Sequence, residues 1–316
     1  MLEFTTSGVS FSKSRFRSIL EIECWILGVQ LKGKTMKIDA HGHGMHAELN
    51  AGGRRIPPLM SAWRNTELTP AEHIKQHNEL GIEKVLLLDP IEVTFELKQI
   101  FGDFVLPCPM VLMEESSPEE IASLLDRGAC GIKFIAPMHP YGDDRYLPLY
   151  EVIRDYHALA VFHTGYLVHH FFDPGGVLPR PSWININNMR PAELDRINRA
   201  FPDLKILMAH FGNPWWDEAW TMLKSNNNIY ADLSGGTAYE KSMGMWKDLF
   251  APNGKLNTKI VSKLCYAADD SMFSPGYFGY EPFIEFYDKL YDELQLPEEI
   301  RRKIDRENIL MLTDRK

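Results

Sequence analysis

The sequence predicts a TIM-like (β/α)8 barrel: a single α/β domain over residues 36–316, preceded by a short extension, residues 1–35. Three observations predict it. Eight short apolar runs recur between Met36 and Asp270, and most are continuous rather than alternating, as parallel strands buried on both faces require. Helical patterns lie between several of them, and βα alternation implies right-handed crossovers and a parallel sheet. Eight strands in about 235 residues match the size of such a barrel. An open doubly wound sheet is the alternative, but no Gly-x-Gly-x-x-Gly turn follows the first run and there is no P-loop.

The runs are "MKIDAH" (36–41), "KVLLLD" (84–89), "FVLPCPMV" (104–111) and "GIKFIAP" (131–137), then "LAVFHTG" (159–165), "KILMAHFG" (205–212), "IYADLSG" (229–235) and "KLCYAADD" (263–270). Between the first two, "TPAEHIKQHNELG" (69–81) has a Thr cap, Pro in the first turn and Gly at the end. "SPEEIASLLDRGAC" (117–130) and "RPAELDRINRAFP" (190–202) repeat that grammar. The extension, "FSKSRFRSILEIECWILGVQLKGKT", has Glu21 and Glu23 inside its apolar part and no small-residue cleavage site, so it does not read as a signal peptide. Met36 is a plausible natural start.

Bulk properties narrow the function. A hydrophobic fraction of 45% is that of a chain with a sizeable core. A net charge of -9 argues against a nucleic-acid partner, which calls for a basic face. No run of about 20 apolar residues is present, so no membrane span is expected. Cys24, Cys108, Cys130 and Cys265 form no Cys-x-x-Cys pair and suggest no disulfide framework, which fits a cytoplasmic protein.

The unusual residues fall at strand ends. His41 and His43 are two apart, so they share a face, expected to be the barrel interior. His163, His210 and Asp269 each end an apolar run, and Lys133 lies inside "GIKF". Singly, a histidine there is commonly a hydrogen-bonded structural residue and an aspartate a helix cap. Jointly they converge on the C-terminal rim, where such barrels carry their active sites. Uncompensated, that cluster would cost several kcal/mol, and a divalent cation supplies the compensation. His73 and His77 stand four apart on a helix but are expected on its solvated face.

These motifs resemble the amidohydrolase superfamily. "IDAHGH", "GIKF", "VFHTG", "ILMAHFG", "IYADLSG" and "LCYAADD" follow its order, and "KIDRENILML" is similar to its closing helix. They look most like the amidohydrolase-related branch that includes aminocarboxymuconate semialdehyde decarboxylase and pyrone dicarboxylate lactonases. The resemblance spans about residues 36–312. It implies one divalent ion, usually zinc, held by His41, His43, His163 and Asp269, with His210 as acid/base. A carboxylated Lys133 would admit a second ion; an unmodified one would hold an anionic substrate group. The sequence departs from the pattern at Ala267 and Ala268, where Gly and Ser or Thr are usual, and after Asn308.

The resemblance implies hydrolysis of a C–O or C–N bond (a lactone, ester or amide) in a small, carboxylated substrate. Asp269 would take the proton of an activated water and His210 would polarise the carbonyl. Non-oxidative decarboxylation of an unsaturated or aromatic acid is the alternative from the same site, because fold and metal do not fix the reaction. The long segment 166–191 carries His169, His170, Arg180, Trp183 and Arg190, and Trp215 follows His210; Arg180 and Trp215 are the substrate-binding candidates. Such aromatic loops fit a homodimer interface equally well.

Overall fold

The computed structural model describes residues 35–44, 68–167, 184–235, 238, 241–272 and 280–316. The chain divides into two units at Thr35 and Met36, and the second, Met36–Lys316, carries every element below. Residues 1–34 lie outside the described residues.

All eight expected strands form. β1 (Lys37–His43), β2 (Ile82–Leu87) and β3 (Val105–Pro107) are followed by β4 (Met110–Val111), β5 (Gly131–Phe134), β6 (Leu159–His163), β7 (Lys205–Ala209), β8 (Ile229–Asp232), β9 (Leu264–Cys265) and β10 (Asp270–Ser271). Ten labels cover eight barrel strands, since two strands are interrupted. Pro109 has no N–H for the ladder, and it splits the third into β3 and β4. Asp269, with φ 63°, lies in the stretch that splits the eighth into β9 and β10.

Every pairing is parallel. The ladders run β10-β1-β2-β3 and β4-β5-β6-β7-β8-β9, so each interrupted strand belongs to both sheets and joins them into a ring. Backbone bonds span the breaks: Cys108 N donates to Leu87 O, Lys133 N to Pro109 O, and Ala40 N to Tyr266 O. A closed ring has no free edge, which removes the aggregation liability of an open sheet.

Alternate residues sort into two cores. Ile38, Ala40, Leu86, Leu88, Cys108, Leu159, Val161, Leu207, Cys265 and Ala267 pack inside the ring, with Ile309 and Leu312 of the closing helix. Their neighbours Val85, Leu87, Ile132, Phe134, Ala160 and Phe162 pack outward against the helices. Asn308 ties the closing helix down, its amide donating to Ser262 O at 2.9 Å and Leu264 O at 2.7 Å.

Helix Pro70–Leu80 has the expected Thr69 cap, which the structure shows to be reciprocal with Glu72, and ends on Gly81 at φ 88°. Ser117 caps Pro118–Asp126. The third repeat differs: Glu193–Ala200 has no side-chain cap of its own, and Glu218 accepts from Ala192 N at 3.3 Å instead. The solvated face expected for His73 and His77 is also wrong. Both are buried, ring edges against Phe101 for His73 and against Phe104 and Tyr280 for His77. An uncharged imidazole is apolar enough to serve as core there. Cys108, Cys130 and Cys265 are free and buried. Among the described residues, no helix is long and apolar enough to cross a membrane.

Candidate metal centre

His41 and His43 reach the ring interior through a break in alternation. Ile38 and Ala40 already point inward, so strict alternation would turn His41 outward with Asp39. The register with β2 slips between Asp39 and Gly42, a bulge that re-aims one residue and sets both histidines inside. Gly42 between them faces outward, where a Cβ would lie 2.2 Å from Val85 Cγ1. No larger residue fits.

Asp269 comes from the far side of the same seam, its N–H donating to His41 O at 2.7 Å. Its Oδ1 stands 3.3 Å from His41 Nε2 and 3.1 Å from His43 Nε2. His41 is buried, whereas about a quarter of the His43 and Asp269 side chains is exposed, so the trio opens at the rim. The left-handed backbone of Asp269 and of His210 (φ 61°) is strain of the kind concentrated at functional sites.

Each ring is held from behind. His43 Nδ1 lies 3.1 Å from Asp89 Oδ1, whose other oxygen accepts from Gly44 N. His41 Nδ1 lies 3.3 Å from Asp232 Oδ2 and 3.1 Å from Ser234 Oγ. A carboxylate accepts only, so it fixes the proton on Nδ1 of a neutral ring and leaves Nε2 bare. Two bare nitrogens and a carboxylate oxygen then face one another. Ligands at roughly 2.0–2.1 Å in a tetrahedron stand about 3.3–3.4 Å apart, close to the distances seen. His41, His43 and Asp269 therefore fit a divalent cation.

Charge distribution agrees. Burial, then the Lys133 ammonium, pushes His41 down to about 3, so it is neutral. Burial opposes charge on His43, but its bonds to Asp269 and Asp89 outweigh this and push it up to about 10, making it the group that carries a positive charge without a metal. Burial also works against an ionised Asp269, yet His41, His210 and His43 hold its carboxyl well below the usual range. Asp232, despite its burial, is held down to about 2, chiefly by the side-chain bond with His41.

His163 and His210 form a second pair, with His163 Nδ1 3.2 Å from His210 Nε2. His210 Nδ1 faces Ser234 and stands 3.9 Å from Asp269 Oδ2. Gly235 makes room: its φ is +84°, and a Cβ there would lie 3.1 Å from His210 Nδ1. His163 is thus beside the trio, with none of its ligand atoms grouped with theirs. His41, His210 and Asp232 are close enough to suggest a second cation position, but the Ser234 hydroxyl bonds all three and fills its centre. Lys133 points into the ring, buried, and its Nζ has no hydrogen-bond partner among the described residues. Burial pushes it down to about 8, partly offset by Asp232 and Asp269.

Trp215 lies under the Arg190 guanidinium, 5.0 Å from ring centroid to carbon, and Arg190 pairs with Glu218. Arg180, His169, His170 and Trp183 lie outside the described residues. Asp89, Asp232 and Ser234 were not singled out from sequence. Their signal was available: each is a polar residue ending or following an apolar run.

The amidohydrolase family model matches residues 93–312. This chain belongs to the amidohydrolase family. No curated protein matches it. Among solved structures, an uncharacterized TIM-barrel protein from Bordetella bronchiseptica is similar at 16% identity, covering 88% of this chain and 98% of that one, with TM-score 0.58. A probable 2-pyrone-4,6-dicarboxylic acid hydrolase from Acinetobacter baumannii, solved with citric acid bound, is similar at 13%, covering 88% and 98%, with TM-score 0.58. A dihydroxybenzoic acid decarboxylase from Polaromonas sp., solved with manganese and 2-nitroresorcinol, is similar at 14%, covering 89% and 97%, with TM-score 0.53. At these identities the likeness concerns the fold, and it agrees with the amidohydrolase barrel.

Proposed function

We propose that this amidohydrolase hydrolyses a C–O or C–N bond of a small carboxylated substrate, using one divalent ion, zinc, held by His41, His43, His163 and Asp269. The observation that carries the reading is the division of labour within Asp269. Its Oδ1 faces both histidine Nε2 atoms, and its Oδ2 is turned toward His210. One oxygen serves the cation and the other is left for a proton. A bound divalent ion supplies Lewis acidity, which brings the acidity of a water close to neutral pH and polarises a carbonyl. Asp269 Oδ2 accepts the proton of the attacking water, and His210 is placed to exchange it with the departing group. Lys133, buried and without a hydrogen-bond partner among the described residues, receives a substrate carboxylate. The N3O donor set and the pinned rings suit zinc, and cytoplasmic residence fits the free buried cysteines.

Decarboxylation is the second reading. It is favoured by the similarity to the Polaromonas decarboxylase, and by Lys133, whose ammonium would hold an acid group inside the ring. One experiment separates the two. Zinc-loaded and manganese-loaded protein is incubated in 18O-water with panels of lactones, esters, amides and unsaturated or aromatic acids. Hydrolysis puts one 18O in the acid product and releases no carbon dioxide; decarboxylation does the reverse, and that result would displace the proposal.

A further inference from the structure

The bulge in β1 leaves backbone N–H groups that its ladder with β2 does not take up. The register passes from Asp39 to Gly42, and the N–H groups of Ala40 and His41 turn elsewhere. Ala40 N donates to Tyr266 O at 2.9 Å. His41 N donates to the carboxylate of Asp39, reaching Oδ1 at 3.0 Å. Across the seam, in the break between β9 and β10, Ala268 N donates to the same Oδ1, also at 3.0 Å. Asp269 N closes the figure by donating to His41 O at 2.7 Å. One carboxylate oxygen thus joins the chain on both sides of the seam.

We propose that Asp39 is a positioning residue for the metal centre: through Oδ1 it ties the bulge that carries His41 to the turn that carries Asp269, and so sets the spacing of these two ligands. The proposal rests on the reading of His41 and Asp269 as ligands given above. Asp39 is fully buried, and its Oδ2 has no hydrogen-bond partner among the described residues. A carboxylate in such a place is costly unless its bonds compensate. The compensation lies in two buried N–H groups that need an acceptor as much as the carboxylate needs donors. The tie also explains how the left-handed backbone of Asp269 is held, since such a conformation persists only where its surroundings over-determine it. The N–H groups of Ala268 and Asp269 are both fastened to β1, one through Asp39 and one through His41. A backbone N–H serves beneath any side chain, so alanine at 268 leaves the tie intact. Ligand distances that suit a cation lie within roughly 0.2 Å of ideal, and a slackened tie therefore costs affinity.

The shared acceptor and the charge of Asp39 are separable. Asparagine keeps an oxygen for the two donors and removes the charge, whereas alanine removes both. Metal-free wild type, Asp39→Asn and Asp39→Ala are titrated with Co2+, the visible d–d spectrum reading ligand geometry and chelator competition reading affinity. Asp39→Asn should match wild type in both. Asp39→Ala should bind about 10–100-fold more weakly, with an altered band, as when an outer partner of a metal ligand is lost. A band and affinity unchanged in Asp39→Ala would overturn the proposal, even with a lower melting temperature, because that is a structural role alone. Asp39→Asn behaving as Asp39→Ala would also overturn it, by making the charge responsible. If Asp39→Ala does not fold, amide hydrogen exchange in metal-free wild type and Asp39→Asn decides. Slow exchange at His41 and Ala268 in both proteins is expected, and fast exchange at Ala268 would overturn the shared acceptor. Wild type that takes up no cobalt would sink the cation reading and this proposal with it, a failure seen before any variant is compared.

Discussion

Replacing Asp232 by Asn exchanges one oxygen for an NH2 group with almost no change of shape, and its consequence follows from which oxygen is replaced. Oδ1 accepts from His210 N at 2.9 Å, Ser234 N at 3.0 Å and Ser234 Oγ at 2.6 Å. Those donors hold the Asn carbonyl at the Oδ1 place, so the amide NH2 takes the Oδ2 place, 3.3 Å from His41 Nδ1. Two N–H groups cannot bond. His41 relieves the conflict by moving its proton to Nε2, and the lone pair it offered beside His43 and Asp269 is lost. Loss of such an outer partner of a metal-binding histidine typically costs 10–100-fold in affinity, about 1.4–2.7 kcal/mol. Ser234 Oγ still faces the same nitrogen and keeps the loss within that range. Fold stability should move by less than about 1 kcal/mol, since the three other donors keep their acceptor. Competition against a chromophoric chelator measures zinc affinity, and thermal unfolding of the metal-free protein measures stability. Unchanged affinity in Asp232→Asn would refute the tautomer argument. A large loss of stability would mean that the variant tests the fold and not the ring.

Three further outcomes are expected. Burial lowers the pKa of His77, so the unfolded chain binds the extra proton first; stability is complete above about pH 6.5 and is lost as pH falls below it. Urea unfolding at pH 7 and pH 5 should show this loss, reduced in His77→Leu, and an equal pH dependence in both would contradict it. Gly42→Ala places a Cβ against Val85 Cγ1 and should destabilise by about 1–3 kcal/mol, with partial recovery in Gly42→Ala/Val85→Ala; calorimetry that finds no recovery locates the strain elsewhere. Lys133→Met removes a buried charge that has no hydrogen-bond partner among the described residues, so melting temperature should hold or rise while kcat/KM on a carboxylated substrate falls by about 10–100-fold. A fall in both would indicate a structural lysine.

What was legible in the sequence follows from what is local. The apolar runs of β1 through β9 declare themselves because a strand buried on both faces has no polar side to interrupt it. The caps at Thr69 and Ser117 are written within four residues of each helix start. The helix after Arg190 borrows Glu218, 26 residues from Ala192, and no local pattern carries that. His41, His43 and Asp269 stood out because histidines and a carboxylate are rare where aliphatic side chains are expected. Asp89 and Asp232 did not, because an aspartate at a strand end reads as the cap of the next helix. The bulge at β1 leaves no trace in spacing, and the interior direction of His41 is a property of its register with β2. His73 and His77 misled for a different reason: the helix around them is polar, and only its packing on Phe101, Phe104 and Tyr280 shows that neutral rings are core.

The central claim is that His41, His43 and Asp269 surround a cation. Metal content of protein purified without added metal, wild type beside His43→Ala, tests it most directly. The account requires about one divalent ion per chain in wild type and its loss in the variant, with the fold intact by circular dichroism. Wild-type protein that holds no ion even after reconstitution with zinc or manganese would contradict it.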